Sequence, residues 1–314
     1  MTQDQALKIL KTGENVFLTG PPGSGKTYVL NKYVEYLKEN NVPVAVTAST
    51  GIAATHMNGQ TIHSWSGLGI RETLNQDDLD DLSSKSHVRK RVSNAEVLII
   101  DEVSMIHAYQ IDIVDRICRE LRGDVRPFGG LQVVFSGDFF QLPPVAGGEA
   151  REVKFITESY VWREMNTKVC YLEEQHRHIK GRLADILGRI RRQEVDDSLR
   201  KDLLEGDRDF KIKPTRLYTH NRDVDVINKR ELNKIDEKEV NFRMSSKGKE
   251  VLVEILKRGC LAPENLILKK GAEVMFLKNN FDKGYVNGTV GKVVSFDKGT
   301  EYPVVETLEG EEIL

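Results

Sequence analysis

The stretch "NVFLTGPPGSGKTYVLNKYVEYLKEN", residues 15–40, decides the fold. It opens with an apolar, β-branched run that reads as a short buried strand. It closes with Val29, Leu30, Tyr33, Val34 and Leu37 at helical spacing. Between them "GPPGSGKT", residues 20–27, fits the pattern G-x-x-x-x-G-K-[ST] at every position. Strand, glycine-rich loop and helix in that order predict a P-loop. Gly20, Gly23 and Gly25 let backbone N–H groups turn toward a phosphate chain, and the helix presents its positive end to it. Lys26 is expected to reach the β- and γ-phosphates, and Thr27 to hold Mg²⁺ through its hydroxyl. Pro21, Pro22, Ser24 and Tyr28 complete the segment expected to bind ATP.

Working outward, "PVAVT" (43–47), "EVLIID" (96–101) and "LQVVFS" (131–136) read as further buried strands, with "YQIDIVDRICREL" as a helix between the last two. Alternation of this kind predicts a parallel sheet covered on both faces. A P-loop needs a carboxylate from a neighbouring strand end, and "VLIIDEVSM" offers Asp101 for the magnesium ion and Glu102 to position or deprotonate a water. In "VVFSGDFFQLPPV" (133–145) a third strand stops at Asp138 and Gln141. If these strands end at one edge, both residues emerge beside the γ-phosphate. Gln141 carries a donor and an acceptor, and Pro143 and Pro144 stiffen the chain just beyond it, so the loop reads as a sensor.

The 314 residues suffice for two domains, and 46 Lys plus Arg against 48 Asp plus Glu leave a net charge of -2. Overall charge therefore gives no support to a nucleic-acid partner, and an anion must be met by local patches. Cys118, Cys170 and Cys260 are isolated and odd in number, which argues against a disulfide framework or a zinc site. No apolar run reaches the ~20 residues needed to span a bilayer, and the polar N-terminus is unlike a signal peptide. A cytoplasmic or other reducing location is therefore expected. Residues 66–92 read as an exposed insertion, acidic in "DDLDDL" and basic in "KSHVRKRV". A solvated helix face is preferred there to a metal or DNA site. Further on, "LADILGRIRRQ" and "RDVDVINKRELNKI" read as helices, and "TRLYTH", "EVMFLKNN", "TVGKVVSF" and "YPVVET" as strands.

"GPPGSGKT", "TASTGIAA", "GQTIHSWSG", "IIDEVSM", "PFGGLQVVFSGDFFQLPPV" and "LEEQHRH" occur in an order and spacing that resemble the Pif-type DNA helicases, relatives of the RecD-type enzymes of superfamily 1. The stretch joining "DEVSM" to "GDFFQLPPV" through "RPFGG" resembles the signature segment of that group. The implied fold is α/β: a P-loop, RecA-like parallel-sheet domain over 1–165, an incomplete second RecA-like domain over 166–283, and the start of a small β-barrel insertion over 284–314. Later family motifs do not come after "EGEEIL", so the resemblance implies a chain truncated at its C-terminus, with nucleotide binding expected to survive.

The same resemblance implies site residues. Gln3 would read the adenine, with Gln5 the alternative if the register slips. Arg177 in "EQHRH" would cross to the γ-phosphate from the second lobe; zinc at His176 and His178 is disfavoured for want of a third ligand. Thr50, Gly51, His63 and Ser64, with Thr219 and Asn221 in the second lobe, match segments that meet the backbone of a single strand. Trp65 and Phe139 are aromatics with a claim to stack on a base, against core packing, which is favoured for Trp65. The implied activity is ATP-dependent helicase translocation on single-stranded DNA, 5′-to-3′, by a monomer that meets forked or structured DNA. Repair, recombination and telomere maintenance come with the family. Two alternatives share the P-loop: a small-molecule kinase, which gives "FSGDFFQLPPV" no role, and a module that binds ATP or DNA without turnover.

Overall fold

The computed structural model describes residues 1–69, 71–145, 152–174, 181–205, 216–218, 221–248, 262–278, 283–308 and 310–314, with single residues 253, 257, 260 and 280. The chain divides into two compact units, Met1–Arg208 and Asp209–Leu314.

The first unit is built on a six-stranded, wholly parallel sheet of β1 (Val16–Thr19), β2 (Val44–Ala48), β3 (Gln60–Thr61), β4 (Val97–Asp101), β5 (Gln132–Gly137) and β6 (Lys168–Tyr171), in the order β3-β2-β4-β5-β1-β6. Its central strands β1, β4 and β5 bury both faces, and the period-2 alternation of side chains sorts them between two cores. Val16, Leu18, Val97, Ile99 and Val134 face α1 (Gln3–Leu10) and α2 (Lys26–Glu39), where they meet Leu10, Leu30 and Tyr33. Phe17, Leu98, Ile100, Val133 and Phe135 face the other way. Past α3 (Gly51–His56), which comes after β2, that second core draws on α4 (Ile62–Ser66), α5 (Gln76–Ser84), α6 (Ser86–Asn94), α7 (Ala108–Arg122) and α8 (Tyr160–Glu164). Two further helices, α9 (Arg182–Arg191) and α10 (Asp197–Glu205), complete the unit.

Register positions the site. Thr19 pairs with Gly137, Ile100 with Phe135, and Ala48 with Asp101, so β1, β2, β4 and β5 end at one edge. The condition set by the sequence is met.

Two expectations for this unit change. The sheet takes in Lys168–Tyr171, because β6 pairs with β1 through Val16↔Lys168 to Thr19↔Tyr171, so the unit runs past residue 165. The segment 66–92 is not simply an exposed insertion: α5 and α6 turn their charges outward and bury Leu79, Leu82, Val88 and Val92 in the core beside Trp65. An apolar stripe at i, i+3 and i+4 spacing lies hidden among those charges.

In the second unit α11 (Asn221–Asn233) appears as expected, and after it an antiparallel pair, β7 (Val240–Arg243) with β8 (Asn265–Leu268). Next comes an antiparallel sheet of β9 (Glu273–Met275), β10 (Val290–Phe296), β11 (Pro303–Thr307) and β12 (Glu312–Ile313), over a small core of Leu268, Ala272, Val293 and Val305. This sheet begins at Glu273, ahead of the residue 284 expected, since β9 pairs with β10. "TRLYTH" is not seen as a strand: Arg216–Tyr218 are irregular, and its other residues lie outside the described residues.

Candidate nucleotide and strand-binding site

The loop after β1 has the backbone that its glycines predict. Gly23 and Gly25 have φ of +83° and +85°, in the left-handed region that penalises a Cβ. At Gly20 a Cβ would stand 2.6 Å from the Leu172 carbonyl oxygen and 2.8 Å from Ser24 Oγ. Gly25 caps α2 without a side-chain bond, and no acidic residue lies in the first turn. The first N–H groups of the helix are therefore left to an anion. Lys26 Nζ donates to the carbonyls of Gly20 (2.9 Å) and Pro21 (3.3 Å). Burial holds its pKa below the ordinary lysine value, against the opposing pull of Asp138, Glu102 and Asp101.

Thr2 caps α1 and Gln5 completes the capping box, so the Gln5 side chain is committed to that turn. Gln3 instead reaches the loop, its Nε2 donating to Ser24 O at 3.1 Å. Ser24 is fully buried and its hydroxyl has no partner among the described residues, leaving a donor inside the loop. Pro21 is half-buried, whereas Pro22, Thr27 and Tyr28 lie on the loop and first turn, with Tyr28 exposed.

At the end of β4, Asp101 is buried and accepts the Glu102 N–H at 2.9 Å. Glu102 sits at φ 53°, ψ 45°, a strained position for a residue with a side chain. Burial pushes both carboxyls up, and each carries the other's or Lys26's charge in its surroundings. The Thr27 hydroxyl and Asp101 carboxylate are hard oxygen donors that suit Mg²⁺, and a bound cation would relieve the crowding of negative charge at Asp101 and Glu102.

The third strand end holds Asp138, 1% exposed. Its carboxylate accepts from Phe140 N (3.2 Å) and Gln141 Nε2 (3.3 Å), and twice from Arg191 of α9 (2.8 and 2.9 Å). Burial, the largest single influence, would raise the Asp138 carboxyl; the hydrogen bonds from Arg191, Phe140 N–H and Gln141 together with the Arg191 charge outweigh it and hold it below the usual carboxylate range. Arg191 also lies over the Phe140 ring at 4.4 Å. Neither Arg191 nor its pairing was legible in the sequence. At the far end of the loop His107 Nε2 is 2.8 Å from Val145 O.

For a strand, the elements after β2 and β3 offer polar groups. Thr50 caps α3, accepting from Ala53 N, and Gly51 opens that helix. His63 and Ser64 lie on α4; Ser64 is exposed and bonds to Gln60, while His63 meets Gln110 at 3.1 Å. Trp65 is core, as favoured. Phe139 is also drawn inward, against Phe17 and Phe155 at ring distances of 5.2 and 5.1 Å, and it is Phe140, 70% exposed, that faces out. Asn221 begins α11; Thr219, Arg177, His176 and His178 lie outside the described residues.

The "RPFGG" segment stands at the opposite end of β5 from this site. Asp115 accepts the Phe128 N–H at 2.6 Å and Arg122 donates to Gly129 O at 2.6 Å, so the segment is a staple between α7 and the start of β5.

The sequence matches the family model described as PIF1-like helicase over residues 3–194, and that of the DNA helicase Pif1 2B domain over 252–296. It is 48% identical over 306 residues to the ATP-dependent DNA helicase Pif1 of Psychrobacter sp., covering 94% of this chain and 46% of that protein. Among solved structures it is similar to Pif1 helicase from Candida albicans, with TM-score 0.77, 34% identity, and 98% and 75% of the two chains covered. It is similar also to Pif1 helicase from Bacteroides in complex with ADP-AlF3 and ssDNA, with TM-score 0.66, 28% identity, and 99% and 72% covered. The chain spans about half or less of the length of the curated relatives first matched. With a P-loop, paired carboxylates and the Asp138–Gln141 loop on one edge of a RecA-like sheet, this chain belongs to the PIF1-like helicase family.

Proposed function

We propose that the chain is the nucleotide-driven part of an ATP-dependent DNA helicase that translocates 5′-to-3′ on single-stranded DNA. The observation that carries this reading is the shared edge of β1, β4 and β5, where Lys26, the Asp101–Glu102 pair and the Asp138–Gln141 loop converge. In this reading the N–H groups of residues 20–27 and Lys26 hold the phosphates, and Gln3 contacts the adenine. Thr27 and Asp101 hold Mg²⁺, which supplies charge neutralisation on the phosphates. Glu102 takes a proton from the attacking water, and Gln141 reports whether the γ-phosphate is present. Arg177 completes the charge at the γ-phosphate.

Hydrogen bonds from Thr50, Gly51, His63 and Ser64, and from Thr219 and Asn221 in the second unit, grip the strand backbone without reading sequence. Alternating grip, one nucleotide per ATP, converts turnover into movement. Forked or structured DNA is the proposed substrate, a monomer the acting species, and the compartment holding the DNA, cytoplasm or nucleoid, the location. Among the described residues no helix is long and apolar enough to cross a membrane. Strand displacement tests the reading: duplexes with a 5′ tail should be opened in the presence of ATP, and preference for a 3′ tail would reverse the polarity.

A further inference from the structure

Gln110 of α7 has both ends of its amide engaged. Its Oε1 accepts the backbone N–H of His107 at 3.0 Å, and its Nε2 lies 3.1 Å from Nε2 of His63. An amide NH2 only donates, so the His63 nitrogen it meets is the unprotonated one, and the proton of the neutral ring is on Nδ1. Burial acts in the same sense, holding the His63 pKa below the ordinary histidine value. The described residues give Nδ1 no hydrogen-bond partner, and Ser64 beside it is exposed.

We propose that Gln110 is a positioning residue for strand binding: it locks His63 in the Nδ1–H tautomer, so that the half-buried ring offers one neutral N–H donor to a strand phosphate. This rests on the strand contact proposed above for His63 and adds its chemistry. A neutral donor grips a phosphate less strongly than an imidazolium, which suits a motor that must release the strand at each step. The same side chain connects the donor to the sensor loop. His107, whose N–H Gln110 accepts, meets Val145 at the end of "GDFFQLPPV". The strand contact and the far end of the loop are thus linked through Gln110 and His107.

The test uses protein with ¹⁵N-labelled histidine, the His63 ring being assigned by its loss in His63→Ala. Wild type should carry its ring proton on Nδ1. Gln110→Glu keeps an acceptor for His107 N–H but removes the donor, and should place a proton on Nε2. Oligothymidylate binding at fixed salt should weaken about tenfold in Gln110→Leu, the scale of one hydrogen bond to a charged group. His63→Ala should weaken it as much, and the double variant no further. A wild-type ring protonated on Nε2, or losses that add in the double variant, would overturn the role of Gln110 and leave the strand contact standing. Unchanged binding in His63→Ala would overturn the strand contact itself, whatever the tautomer.

Discussion

Asp138 and Arg191, 53 residues apart in sequence, form a bidentate ion pair with N···O distances of 2.8 and 2.9 Å. It joins the loop after β5 to the last residue of α9 and gives Asp138, otherwise fully enclosed, a compensating charge. Replacing Asp138 by Asn strands the guanidinium in a mostly buried position, and removal of one partner of such a pair costs about 3 kcal/mol. The native carboxyl is held below its ordinary pKa, so its contribution is present above the unfolded value of about 3.9 and is lost as pH falls through the lower folded value. Urea denaturation of wild type and Asp138→Asn should therefore show a gap at pH 7 that narrows only below about pH 4. A gap independent of pH would mean that the pair is not the cause.

Glu102 combines strain with chemistry. Its φ of 53° is relieved by glycine, so Glu102→Gly should raise stability by about 1 kcal/mol while abolishing hydrolysis. Glu102→Gln should retain nucleotide and also fail to hydrolyse it. Normal turnover in the glutamine variant would remove the base role, and a destabilised glycine variant would remove the strain.

The P-loop leaves no room at Gly20. A Cβ there meets a backbone oxygen at 2.6 Å, which a rotamer change does not relieve. Gly20→Ala should weaken binding of a fluorescent ATP analogue by at least tenfold, through a displaced loop; Lys26→Ala should abolish it through lost charge. Wild-type affinity in either variant contradicts the site.

The "RPFGG" staple is predicted to act on stability alone. Asp115→Ala leaves the Phe128 N–H without its acceptor and takes the Nε acceptor from Arg119, which keeps Glu164 and the Val125 carbonyl, at a cost of about 2 kcal/mol. Calorimetry should show the lower Tm, while nucleotide affinity of the folded protein stays at the wild-type level. Selective loss of nucleotide affinity would place the segment in the active site after all.

The sequence made legible those features that local pattern determines. The P-loop, four strands of the sheet and α2, α7, α9 and α11 can be read from apolar period and glycine placement, and the shared edge of the strands leading to Lys26, Asp101, Glu102 and Gln141 from parallel topology. The rest depended on contacts between distant residues. Arg191 lies in an arginine-rich helix end that looks solvated, and only the folded chain brings it to Asp138. Two adjacent phenylalanines carry no sign of which one turns inward; packing against Phe17 and Phe155 selects Phe139 and leaves Phe140 outside. Charges in α5 and α6 masked the spacing of Leu79, Leu82, Val88 and Val92. The reach of Gln110 to His63, 47 residues away, had no local signal either.

The most direct test of the motor reading is the rate of ATP hydrolysis by this chain with and without single-stranded DNA, with Lys26→Ala as the blank. The account predicts turnover that rises strongly on adding the strand and disappears in the variant. Hydrolysis indifferent to DNA, or persisting in Lys26→Ala, would contradict it.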